Sequence, residues 1–144
     1  MVTYYDTSCM ARLYVPEEGS ERILRHVADD GKALLYTPLH NSELRNAIAL
    51  KVFRGEIEQD EMNAVFLKLE SDIQSGRLIM APTDWSDVFC RTNQLSAMYT
   101  PEEGCRTLDI LHVALASSFG CRRFITGDEC QKRLARRVGL DVDW

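Results

Sequence analysis

Short contiguous apolar runs alternate along this chain with longer stretches in which apolar residues recur every three or four positions, and glycine or proline separates most of them. The short runs, at residues 2–5, 33–36 and 77–81 and in the stretch 123–128, where the strand ends right before Asp128, are rich in β-branched, aromatic and aliphatic side chains and predict buried strands. Residues 140–144 predict a terminal strand. The longer stretches predict helices. The first carries Met10, Leu13 and Tyr14 and stops before Pro16. The second is capped at Ser20, turns Ile23, Leu24 and Val27 inward and ends at Gly31. Thr37-Pro38 opens a third, with a hydroxyl at the cap and proline at the first helical position, and its face runs through Leu39, Leu44, Ala47, Ile48 and Val52. Gly55 breaks that pattern. Residues 57–73 predict an amphipathic helix closed by Gly76. Pro82-Thr83-Asp84 starts a helix through Trp85, Val88, Phe89, Leu95 and Met98, and residues 100–104 predict a loop. An almost wholly apolar helix spans residues 106–116, and a last helix, with Leu134, Ala135 and Val138 inward, stops at Gly139.

Strands alternating with helices imply an α/β fold: a mainly parallel central sheet of four to five strands, flanked by helices on both faces. At 144 residues the chain reads as one domain, 1–144, with no internal repeat or linker.

The formal net charge of −5 argues against nucleic-acid binding through bulk charge, so any such binding needs a local basic patch or metal ions. No apolar run is long enough to span a membrane and no signal peptide opens the chain, which predicts a cytoplasmic protein. Five scattered cysteines, none in C-x-x-C spacing, predict reduced packing residues. Cys9, near Asp6, is the one considered as a nucleophile, with ordinary burial favoured over that role.

Acids stand out against this framework. Asp6 directly follows the first strand, Glu43 lies on the helix after the second, Asp109 opens the apolar helix and Asp128 follows a later strand. In parallel sheets ligands bind beyond the carboxyl ends of the strands, so all four can converge on one edge. Singly, each has an ordinary reading: Asp109, for example, is stabilised at a helix N-terminus. Together they repel, and a hard divalent cation, Mg²⁺ or Mn²⁺, resolves the conflict.

Tyr5-Asp6-Thr7-Ser8, Ser42-Glu43-Leu44-Arg45, residues 106–112 and Thr126-Gly127-Asp128, followed by Leu134-Ala135 and Gly139-Leu140, resemble the successive motifs of PIN domains, most closely the VapC-type toxin ribonucleases of toxin–antitoxin pairs. The resemblance covers essentially the whole chain. It implies a single PIN-like domain and a metal-dependent endoribonuclease, with Asp6, Glu43, Asp109 and Asp128 as catalytic and metal-binding acids. It also implies Ser8 and Thr126 as supporting hydroxyls, an RNA substrate such as tRNA or rRNA, a cognate antitoxin laid across an apolar groove, and a homodimer. The expected chemistry is attack of a metal-activated water on a phosphodiester.

Arg106, beside Asp109, is a candidate phosphate contact, and it could equally pair with that acid. Six of the 17 basic residues lie between Arg122 and Arg137; Arg122, Arg123, Lys132 and Arg133 flank Asp128 and are candidate RNA contacts, weighed against simple stabilisation of a helix C-terminus. His112 and His40 read as packed, hydrogen-bonded histidines. Two competing functions are a non-catalytic PIN-like binding module and a metal-dependent phosphatase of the aspartyl-phosphate kind. The latter wants a second acid two residues after the first, where this chain has Ser8.

Overall fold

The computed structural model describes residues 2–142. Its elements run β1 (Thr3–Tyr5), α1 (Thr7–Tyr14), α2 (Ser20–Asp30), β2 (Leu34–Tyr36), α3 (Pro38–Phe53), α4 (Gln59–Gln74), β3 (Leu78–Met80), α5 (Trp85–Glu103), α6 (Thr107–Ser118), β4 (Arg123–Ile125) and α7 (Glu129–Arg137). The chain divides into two compact units, one continuous from Thr7 to Ala81 and one made of the residues up to Asp6 together with those from Pro82 onward.

In the continuous unit, β2 and β3 pair in parallel with Leu34 opposite Leu78 and Tyr36 opposite Met80. Ile23, Tyr36, Leu44, Ile48 and Leu69 are fully buried and form its core. The Thr37 hydroxyl accepts from the His40 amide at 3.3 Å, and His40 Nδ1 accepts from the Thr37 amide at 3.2 Å. Histidine here completes a reciprocal cap more often closed by Glu or Gln, which accounts for its burial beside the Tyr36 ring. Gly31 ends α2 in the left-handed conformation that glycine adopts without a Cβ penalty.

In the discontinuous unit, β1 pairs in parallel with β4, from Thr3 opposite Arg123 to Tyr5 opposite Ile125. Tyr4 stacks on Phe124 at 5.3 Å, and its hydroxyl lies 2.7 Å from Nδ1 of buried His112. The interior of α6 is buried continuously from Ile110 to Ala116. That explains its unbroken apolar sequence: a helix covered on all sides shows no polar face.

Four expectations change. The four strands are three residues each and hydrogen-bond as two separate parallel pairs, β1–β4 and β2–β3, in place of one ladder of four to five strands. The terminal strand is reduced to a single parallel bridge between Arg123 and Asp141; Asp143 and Trp144 lie outside the described residues. Strands this short expose few backbone groups, so turns and helix ends meet much of their hydrogen bonding.

Helix α5 also runs on through Pro101 to Glu103, where a loop is predicted. A proline in a helix interior costs about 3 kcal/mol, but Pro101 is only two residues from the end, and the Gly104 amide closes the last turn onto Thr100 at 2.8 Å. Glu103 is then held from α7, accepting from Arg133 at 2.9 Å and from Arg137 at 3.1 Å.

Finally, Cys105 and Cys130 are disulfide-bonded, with Cα atoms 5.7 Å apart, where reduced cysteines are predicted. Cys9, Cys90 and Cys121 form no disulfide, and Cys9 is fully buried, as packing predicts. Among the described residues no helix is long and apolar enough to cross a membrane.

Candidate active site

Because β1 and β4 run in parallel, the residues that leave them emerge at the same edge. The Asp6 amide extends the ladder by one bond, to the Ile125 carbonyl at 3.0 Å, which fixes where its side chain begins. That side chain is only 3 % exposed. The Thr126 hydroxyl lies 2.8 Å from Asp6 Oδ2 and accepts from the Asp128 amide at 3.0 Å.

Asp128 caps α7, accepting from the Gln131 amide at 2.8 Å. Asp109, the third residue of α6, accepts from the Arg106 amide at 3.4 Å, and the exposed Arg106 guanidinium stands 3.7 Å from the same carboxylate oxygen. Both acids therefore sit where exposed N–H groups and the positive end of a helix favour negative charge.

Gln131 joins these pieces. Its carboxamide oxygen is 2.8 Å from the Thr126 hydroxyl, its Nε2 donates to Asp109 Oδ1 at 3.3 Å, and it is 4 % exposed. A hydrogen-bonded path thus runs Asp6–Thr126–Gln131–Asp109, with Asp128 tied in through two backbone amides. Gln131 escapes a search for acids and basic residues. Its signal was present all the same: Asp128-Glu129-Cys130-Gln131 has the Asp-x-x-Gln spacing of a capping box, although the glutamine side chain turns to Thr126 and Asp109.

Glu43 belongs to the continuous unit, on α3, where its Oε1 accepts from the Thr7 hydroxyl at 2.9 Å. Thr7 follows Asp6 directly in the chain. Ser8 is exposed, and its carbonyl accepts from the Arg12 guanidinium at 3.2 Å.

Of the basic candidates, Arg133 is taken up by Glu103, and Lys132 lies 3.4 Å from Glu129. Arg122 is exposed and Arg123 half-buried. The Arg133 and Arg137 guanidiniums hold the Glu103 carboxyl below its usual range. Arg137 also lies over the Tyr99 ring at 5.4 Å.

The continuous unit carries a groove of about 810 Å³ between α1, α2, α4 and the start of β3, lined by Leu13, Val27, Leu34, Val65 and Leu78 with Tyr14 and Asp72 at its polar end. Tyr14 donates to Asp72 at 2.7 Å, and Lys68 Nζ lies 2.7 Å from the other oxygen. Burial pushes the Asp72 carboxyl up, but the hydrogen bonds from Lys68 and Tyr14 and the charges of Lys68 and Arg77 outweigh it, so Asp72 is held below its usual range.

In kind, the donor set fits a hard divalent cation: Asp6, Asp109 and Asp128 offer carboxylate oxygens, with a hydroxyl and a carboxamide in support and no sulfur or imidazole among them. In arrangement, among the described residues no three His, Cys, Asp or Glu side chains stand together as a finished cage.

No protein-family model matches the sequence, and no curated protein does either. The fold, by contrast, has solved counterparts. The crystal structure of FitAcB from Neisseria gonorrhoeae superposes with a TM-score of 0.68 at 19 % identity, covering 98 % of this chain and 96 % of that one. The structure of VapBC2 from Rickettsia felis bound to a DNA fragment from their promoter gives 0.67 at 13 % identity, covering 99 % and 98 %. At such low identity the likeness concerns the fold alone.

Proposed function

We propose that this chain is a metal-dependent endoribonuclease and the toxin of a toxin–antitoxin pair. The observation that carries the proposal is the path Asp6–Thr126–Gln131–Asp109, which ties acids more than one hundred residues apart into one polar cluster with Asp128 attached. Hydrogen-bonded carboxylates in a largely buried setting are costly as structural elements and are common where a cation or a reacting phosphate is bound. Asp6, Asp109 and Asp128 would hold Mg²⁺ or Mn²⁺, with Glu43, oriented by Thr7, as the fourth acid. When bound, the ion lowers the pKa of a water and screens the phosphate oxygens. Thr126 holds Asp6 through its hydroxyl, and Arg122, Arg123, Lys132 and Arg133 are the basic residues proposed to contact the RNA backbone, whose class, tRNA or rRNA, follows the family resemblance.

The antitoxin belongs to the same proposal. The resemblance to VapC-type toxins and the similarity to VapBC2 support a protein partner, and the apolar groove of the continuous unit is its proposed seat, with an amphipathic helix as occupant. A homodimer, also implied by the resemblance, is read from sedimentation of the purified chain.

The test is cleavage of a panel of structured RNAs by the isolated chain with Mg²⁺ or Mn²⁺, with chelator, and with Asp6→Asn. Cleavage that disappears with chelator and in the variant supports the reading. Cleavage indifferent to both overturns it.

A further inference from the structure

We infer that Gln131 is a positioning residue of the acidic site: its carboxamide takes up the Thr126 hydroxyl proton when Asp6 engages a cation, and its amide holds Asp109 in place. The inference rests on the metal-dependent reading above and adds to it a residue that is not an acid.

The geometry sets the roles of the carboxamide. Turned the other way, its oxygen would face Asp109 Oδ1 at 3.3 Å, acceptor against acceptor; as placed, Nε2 donates to Asp109 and Oε1 faces the Thr126 hydroxyl. That hydroxyl has one proton and two acceptors at the same 2.8 Å distance, Asp6 Oδ2 and Gln131 Oε1. Its lone pair is already used by the Asp128 amide at 3.0 Å. Without a cation the carboxylate is the stronger acceptor and takes the proton. Once Asp6 Oδ2 bonds to a cation, a proton pointing at it is repelled, and a short rotation about the Thr126 Cβ–Oγ1 bond presents it to Gln131 instead. No covalent bond is made or broken: with the proton on Asp6 the buried Gln131 Oε1 goes without it, and the rotation supplies it. An apolar residue at 131 would leave that proton without its second acceptor, and Asp109 without its amide donor, in a pocket where Thr126 is 1 % and Gln131 4 % exposed.

Hydrogen-bond partners that orient metal-binding carboxylates change metal affinity by about 10–100-fold when removed. The experiment is Mn²⁺ binding, measured by the loss of the free-ion EPR signal, for the unaltered chain, Gln131→Met, Gln131→Asn, Thr126→Val and the Gln131→Met/Thr126→Val double variant, each first shown to unfold cooperatively. Met matches the length of Gln without its polar atoms; Asn keeps the amide but is too short to span both partners, and it stands in if Met does not fold. The expected result is a Kd about 10–100-fold weaker for either Gln131 variant, with the double variant losing less than the sum of the two single losses, because both residues serve one proton. Affinity within twofold of the unaltered chain, or losses that add in full, overturns the role of Gln131 while leaving the metal site standing. An unaltered chain that binds no Mn²⁺ overturns both.

Discussion

The Thr126 hydroxyl and Asp6 Oδ2, 120 positions apart in the chain, lie 2.8 Å from each other at the edge where β1 and β4 end. Both residues are nearly inaccessible to solvent. Removing the hydroxyl withdraws a partner from a buried carboxylate, which costs about 1–3 kcal/mol. Thr126→Val is expected to lower the urea midpoint accordingly and to reduce RNA cleavage, whereas Thr126→Ser restores both. Full cleavage by the Val variant would show that the contact is structural alone.

Asp128 has two separable duties. As the cap of α7 it accepts from the Gln131 amide; as a proposed ligand it supplies charge. Asp128→Ala should destabilise the fold by about 1 kcal/mol through loss of the cap, whereas Asp128→Ser should keep the cap and most of that stability. If the charge matters, both variants lose cleavage. A fully active Ser variant would reduce Asp128 to a cap.

The groove makes its own prediction through pH. Asp72 has a folded pKa below its ordinary value, so its stabilisation is fully present above about pH 4, the unfolded carboxylate range, and is lost as pH falls through the folded pKa. The stability difference between the unaltered chain and Asp72→Asn should therefore be constant from neutral pH down to about 5 and shrink below about 4. Chemical denaturation at a series of pH values reads this, and a difference that grows on acidification contradicts it.

The disulfide predicts a dependence on reductant. Cys105 and Cys130 enclose a loop of 25 residues in sequence separation, for which loop closure gives about 3 kcal/mol. Dithiothreitol should lower the Tm of the unaltered chain to that of Cys105→Ser/Cys130→Ser and leave the double variant where it was. Equal Tm values with and without reductant would mean that the bond adds nothing in solution.

Much of this was legible in the residues themselves. Thr37-Pro38 and Gly31 marked helix boundaries because their conformational demands are local. Asp6 and Thr126-Gly127-Asp128 could be placed at strand ends because a short buried strand admits no interior acid. What stayed hidden depends on contacts distant in sequence. Pro101 reads as a breaker until Arg133 and Arg137 are seen to hold Glu103 beyond it. Cys105 and Cys130 have no spacing that announces a pair; α5 and α7, clasped by those ion pairs, bring them together. Gln131 carries no charge, and its importance lies in which two groups flank it.

The order in which the chain leaves the ribosome gives β1 an unusual wait. Thr3–Tyr5 precedes β4, its strand partner among the described residues, by more than one hundred positions, whereas the stretch from Thr7 to Ala81 is continuous and contains its own strand pair. Pairings of such separation form slowly, because a long loop must close before any contact rewards it. During synthesis, then, Asp6 stays apart from Thr126 and Gln131 until β4 and α7 have emerged. The path from Asp6 through Thr126 to Gln131 therefore closes late, only when β1 has found β4.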